Sequence, residues 1–262
     1  MCWHAPCRSM SGQWTCQGSS NCLRACSGPS CPSPSNPPRG WQGTMSDATC
    51  RRPLRISLPK GRLADDVARH LRAGGLDVPD FSASRQLTLR TADGTQEYIQ
   101  SKPTDVPTFV VHGGADIGFS GLDTLREEGV DVLEPFTLPI GICRISLAGP
   151  PAWRDVDLHL KDHLRVATKY TRLASDWFVS QGINAEVIKL NGSVELAPLT
   201  GLSDLIVDLV ETGRTLQANG LVELQHVLDS RVVIIVNRSA SRLRENEVNR
   251  FLGCVRPGSP GA

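Results

Sequence analysis

From residue 54 onward the chain alternates short apolar runs with amphipathic stretches. Residues 54–58, with Leu54, Ile56 and Leu58, predict a buried strand. A Pro59-Lys60-Gly61-Arg62 turn follows, and Leu63, Val67 and Leu71 then fall on one face of a helix that ends at Gly74-Gly75. Residues 85–90 alternate, with Leu87 and Leu89 on one side, and Asp93-Gly94 supplies a hairpin turn into residues 95–100. Asp105 predicts the cap of a short helix through Val111, with Pro107 tolerated in its first turn. Strands over 115–119 and 130–133, with a helix between them, complete a first α/β set.

Residues 143–148 read as a strand that runs into a Gly149-Pro150-Pro151 break and a polar stretch, which marks a crossing into a second lobe. Three strand-then-helix units follow: 165–169 into 173–180, 185–190 into 194–199, and 204–210 into 214–219. Alternation of this kind predicts parallel strands joined by crossover helices. Residues 222–236 are apolar and β-branched, long enough for two strands or for one that returns to the first lobe. A last helix over 242–251 precedes a Pro/Gly tail.

Composition changes this picture at one end of the chain. Residues 1–44 hold three basic residues, no acidic ones, and six of the nine cysteines, in a setting rich in Ser, Pro and Gly. With no helix or strand period, such a segment cannot bury enough apolar surface to offset chain entropy, so a disordered arm is expected. Its cysteines admit three readings: zinc site, disulfide framework or accident. They form no Cys-x-x-Cys pair and have only His4 nearby, which disfavours metal. Met45 opens the globular pattern, so the arm reads as upstream sequence or a mispredicted start.

The whole chain of 262 residues carries a formal charge of +1, and residues 45–262 carry −2. No global positive field exists to hold nucleic acid, and any anion must be caught locally. No apolar run approaches the roughly 20 residues of a membrane span, and no signal-peptide core opens the chain, so a soluble cytoplasmic protein is expected.

The most informative stretch is Asp208-Leu209-Val210-Glu211-Thr212-Gly213-Arg214-Thr215, where a buried strand delivers two carboxylates and a Thr/Gly loop that opens a helix. Free backbone N–H groups at such a helix start bind phosphate, aided by the Thr212 and Thr215 hydroxyls, while Gly213 permits close approach of the backbone. Asp208 or Glu211 is placed to accept hydrogen bonds from a ribose diol or to face Mg²⁺. The competing reading is that a threonine merely caps the helix and Glu211 complements its dipole.

Lys60-Gly61-Arg62 places two cations at a helix start, where they oppose the dipole unless an anion offsets them. The glycines of residues 112–121, which include Asp116 and Ser120, imply either a nearby ligand or tight packing. Thr168-Lys169 and the Asn191-Gly192-Ser193 segment lie at strand ends of the second lobe, where ligands of open α/β sheets bind. P-loop, nucleophile-elbow and His-Glu-x-x-His motifs are absent from the sequence.

Taken together, residues 58–63, 114–118, 165–170, 189–198 and 208–216 resemble those of ATP phosphoribosyltransferases, collinearly from about Leu54 to Asn237. Thr171 and Leu122 depart from the Pro and Lys common in that family. The resemblance implies a two-lobed α/β fold like that of type II periplasmic binding proteins, with the active site in the cleft between lobes. Lobe I is then residues 53–141 plus 222–252, and lobe II is residues 142–221.

It also implies condensation of ATP with phosphoribosyl pyrophosphate in the first step of histidine biosynthesis, with Mg²⁺. As a short form, the chain would work in a hetero-oligomer with a regulatory subunit similar to histidyl-tRNA synthetase, without nucleic acid or membrane. Lys60 and Arg62 are then expected to offset charge on the leaving pyrophosphate or on ATP, with Gly61 between them. Asp208, Glu211, Thr212, Gly213, Arg214 and Thr215 would hold the phosphoribosyl group, and Thr168, Lys169, Asn191, Ser193, Asp116 and Ser120 complete the expected substrate contacts. The rival reading is a solute-binding module of the same fold.

Overall fold

The computed structural model describes residues 52–81 and 86–256. The cysteine-rich arm, Met45 and Arg85 lie outside the described residues. The elements run β1 (Leu54–Pro59), α1 (Arg62–Ala73), β2 (Thr88–Arg90), β3 (Gln96–Ser101), α2 (Val106–Val111), β4 (Ile117–Gly121), α3 (Leu122–Glu128) and β5 (Cys143–Gly149). They continue with β6 (Leu164–Thr168), α4 (Thr171–Gln181), β7 (Ala185–Lys189), α5 (Leu196–Leu199), β8 (Leu205–Val210), α6 (Arg214–Ala218), β9 (Val222–Ser230), β10 (Val232–Val236), α7 (Arg238–Leu243) and α8 (Glu245–Val255). Among the described residues no helix is long and apolar enough to cross a membrane.

These elements build two mixed five-stranded sheets. The first has the order β10-β4-β1-β3-β2, with β1 parallel to both β3 and β4. The second has the order β7-β6-β8-β5-β9, with β6 parallel to both β7 and β8. The parallel strands are those expected from strand–helix alternation, and their near-continuous burial follows from helices covering both faces. Ile56, Tyr98, Phe119 and Ile234 pack under Val67 and Leu71 of α1 and Val248 and Phe251 of α8, while Val106 and Val110 of α2 cover the opposite face. In the second sheet, Leu173, Ala174 and Phe178 of α4 close one face and Ala197 and Leu216 the other.

Several expectations change. Residues 130–133 form no strand; Leu133 makes one isolated bridge to Val236, because the apolar side chains there cover strand β10 rather than extend a sheet. Asp105 precedes α2, but its side chain does not cap that helix. Residues 222–236 divide into two strands, and β9 pairs along β5 in the second sheet, so the chain returns to the first sheet at Val232 and not at 222. The crossing into the second sheet precedes β5, near residue 142, the expected start of lobe II, and not at the Gly149-Pro150-Pro151 break. The final helix is broken in two at Arg244, whose guanidinium turns inward to Asp116.

The two sheets are tied together through α3 and α4. Glu127 of α3 accepts hydrogen bonds from the Thr171 hydroxyl (3.1 Å) and from the backbone N–H groups of Arg172 (3.1 Å) and Leu173 (3.0 Å). A carboxylate from the first sheet's helix thereby caps the second sheet's helix.

Candidate functional site

Strand β1 ends at Pro59, and Lys60, Gly61 and Arg62 turn the chain into α1. Gly61 sits at φ +88°, in the half of backbone space that side chains with a Cβ avoid. Arg62 opens α1, whose first turn carries Asp65, and its guanidinium crosses to Glu211 Oε1 at 2.6 Å. Glu211 follows β8, so the contact joins the carboxyl end of a first-sheet strand to the carboxyl end of a second-sheet strand. Both partners are exposed, 78% and 47%, so the pair contributes little net stability.

The loop after β8 is built on Gly213, at φ +76°, which turns the strand into α6. No side chain caps α6, so the capping reading of Thr212 and Thr215 is set aside: both residues are exposed, as is Arg214. Glu211 is engaged with Arg62 and not with the helix dipole alone.

Asp208 lies inside β8, opposite Ser146 of β5. Burial pushes its carboxyl above the ordinary carboxylate range and nearby Glu195 adds to the rise, while the Leu209 N–H and the Lys169 ammonium oppose it. The Lys169 Nζ sits 4.6 Å from the Tyr170 ring centroid, at the carboxyl end of β6. The structure therefore brings Asp208 and Lys169 together on the loop side of the second sheet. Glu195 is a member of this group that sequence reasoning did not select as a site residue, although it lies in the same segment as Ser193.

Other expected contacts are spent elsewhere. Asp116 stands at the amino end of β4, 1% exposed, and accepts from Arg52 (2.7 and 3.0 Å), Arg244 (3.0 Å) and the Arg55 N–H (2.9 Å). It is a structural anchor, because its carboxylate is saturated at the end of the strand away from Lys60 and Gly121. The Thr168 hydroxyl is buried and its proton is committed: it donates to the Val207 carbonyl (2.6 Å) and accepts from the Tyr170 N–H (2.9 Å). Ser120 is buried, with its hydroxyl on the Gly121 carbonyl at 3.2 Å.

Asn191 and Ser193 are exposed beyond edge strand β7. Ser193 adopts φ +49°, the sole positive φ of a non-glycine among the described residues, which marks a strained turn. Among the described residues no hydrogen bond or ion pair ties either residue to the loop after β8.

Of the glycines of residues 112–121, Gly113 turns the chain at φ +73° and Gly114, Gly118 and Gly121 serve packing. A Cβ on Gly118 would come within 2.7 Å of Val110 Cγ2, and one on Gly121 within 2.4 Å of Asp123 Oδ1.

Among the described residues no group of three or more His, Cys, Asp or Glu side chains is placed to hold a metal ion. The two carboxylates at this end of β8, Asp208 within the strand and Glu211 just after it, match in number the one or two protein carboxylates that a Mg²⁺ ion takes.

The chain is similar to known proteins over most of its length. The family model described as ATP phosphoribosyltransferase matches residues 102–256. The ATP phosphoribosyltransferase of Sorangium cellulosum is 46% identical over 212 residues, covering 80% of this chain and 98% of that protein. That of Pyrococcus furiosus is 41% identical over 203 residues, covering 78% and 97%. Among solved structures, the ATP phosphoribosyl transferase (HisG:HisZ) complex from Thermotoga maritima has a chain that matches with a TM-score of 0.67 and 38% identity, over 77% of this chain and 96% of that one. With relatives this similar along nearly their whole length, the chain belongs to the ATP phosphoribosyltransferase family.

Proposed function

We propose that the chain performs its family's reaction, the first step of histidine biosynthesis, between the facing carboxyl ends of its two sheets. Those sheets would act as the lobes of a fold like that of type II periplasmic binding proteins, with the substrates in the cleft. The observation that carries this reading is the Arg62–Glu211 contact, which brings the basic turn and the Thr/Gly loop to one place.

In this reaction adenine N1 of ATP forms a bond to C1 of the ribose of phosphoribosyl pyrophosphate, and the bond from C1 to the pyrophosphate oxygen breaks. Adenine N1 already has a free lone pair, so no residue must first remove a proton. The chain's work is alignment and charge stabilisation. The Glu211–Gly213 loop and Thr215 receive the 5′-phosphate, with backbone N–H groups and hydroxyls as donors. Asp208 or Glu211 accepts from the sugar hydroxyls. Arg62, released from Glu211, and Lys60 meet the leaving pyrophosphate or the ATP phosphates, and Lys169 adds a cation on the opposite wall. Asp208 and Glu211 are the residues that would hold Mg²⁺, which would supply further neutralisation of the leaving group.

The partner belongs to the same proposal. The Thermotoga maritima relative is part of a HisG:HisZ complex, and a regulatory subunit similar to histidyl-tRNA synthetase fits this chain as a short form of the family. The deciding experiment incubates the protein with ATP and phosphoribosyl pyrophosphate, with and without a candidate regulatory subunit, and follows N1-substituted adenine by its ultraviolet absorbance. Product in either arm is expected. None in both would favour a solute-binding module.

A further inference from the structure

Where the first sheet's α3 meets β6 and β9 of the second, Asp123 gathers a buried cluster of hydrogen bonds that the reaction as described does not use. Asp123 is the second residue of α3, in its first turn directly after β4 of the first sheet. Its Oδ2 accepts from the Tyr170 hydroxyl at 2.8 Å, and its Oδ1 from the Ser230 hydroxyl at 2.7 Å. The Asp123 N–H returns a bond to Ser230 Oγ at 3.1 Å. Tyr170 follows Lys169 at the end of β6, and Ser230 is the last residue of β9 before the chain crosses back to the first sheet.

All three side chains are buried, so each bond is made in a medium where losing it leaves an unsatisfied polar group. The absence of a Cβ at Gly121 is what leaves room for Asp123 Oδ1. Burial and the Asp123 carboxylate both hold the Tyr170 phenol protonated far above neutral pH, so the donor persists under working conditions.

The ring of Tyr170 is also the surface over which the Lys169 ammonium lies. The Tyr170 hydroxyl therefore anchors the ring over which the cation near Asp208 lies, and ties the sheet that carries Asp208 and Thr215 to the one that carries Lys60 and Arg62. A packing role alone would need none of this polarity, since a Phe fills the same core. We infer that Asp123, acting through Tyr170 and Ser230, is a positioning residue that fixes the second sheet's phosphate loop and Lys169 in register with the first sheet's cationic turn. The inference rests on the site assigned above. Glu127, which caps α4 independently, keeps the two sheets joined when the cluster is cut.

The test uses Tyr170→Phe in the full chain with its regulatory subunit. The variant keeps the aromatic packing and the surface under Lys169, and is expected to lower kcat about tenfold or more while Kd for phosphoribosyl pyrophosphate stays within about twofold. Ser230→Ala frees Asp123 from its other side and should lower kcat in the same way. The effects of Asp123→Asn and Tyr170→Phe on kcat should be non-additive in the double variant. Unchanged kcat with a lowered Tm, additive effects, or a loss of substrate binding that matches the loss of kcat would overturn the inference. Thr215→Ala, measured alongside, reports on the site itself: unchanged phosphoribosyl pyrophosphate binding in that variant dismisses the loop assignment whatever the double variant does.

Discussion

Arg62 and Glu211 are 149 residues apart in sequence and 2.6 Å apart in space. Each leaves the carboxyl end of a parallel strand, one in each sheet, and the bond between them is exposed enough to contribute little net stability. Arg62→Gln should therefore leave stability within about 0.5 kcal/mol of the parent, as surface changes do. Its kcat/KM should fall by about tenfold or more, because the cation is needed only where charge develops. Denaturant titration and steady-state kinetics check the two halves separately.

Asp208 carries the opposite trade. Burial raises its carboxyl pKa in the fold. A group of this kind stabilises the fold fully below the unfolded value of about 3.9, and that contribution is lost as pH rises through the raised folded value. At neutral pH the ionised carboxylate is a burden, so Asp208→Asn should raise stability by about 1 kcal/mol while lowering activity. In the parent enzyme the acid limb of kcat/KM should lie above the ordinary aspartate range, and in Asp208→Asn that limb should disappear.

Asp116 is expected to govern folding and not binding. Removing its carboxylate leaves Arg244, only 11% exposed, without its buried partner. Asp116→Ala should cost about 3–5 kcal/mol. The protein that remains folded should bind phosphoribosyl pyrophosphate normally, as calorimetry on the refolded fraction will report.

Glu127 is expected to act on the start of α4. Glu127→Ala leaves the Arg172 and Leu173 N–H groups without their acceptor and should lower stability by about 1–2 kcal/mol, the usual scale of a lost helix cap. Hydrogen exchange should quicken first at those two amides.

Gly213 is a backbone requirement. Its φ of +76° is open to Ala only at a cost of about 1–2 kcal/mol, while the nearest side-chain atom, Val210 Cγ1, stands 4.0 Å from the added Cβ. Gly213→Ala should thus destabilise by strain without a clash, readable as a drop in Tm at unchanged m-value.

The sequence by itself determined the alternation of strands and helices, the Asp93-Gly94 hairpin turn, and the two loops of the candidate site. Each is written in contacts between near neighbours: hydrophobic period, glycine at a positive φ, and cations or threonines where a strand gives way to a helix. Only the tertiary structure decided that Arg62 reaches Glu211, that Asp116 and the Thr168 hydroxyl are already spent, that β9 belongs to the second sheet, and that Asp123 meets Tyr170. Each of those outcomes involves at least one partner 39 to 149 residues away. A carboxylate or hydroxyl looks equally available in any sequence until folding brings, or withholds, the donors that saturate it.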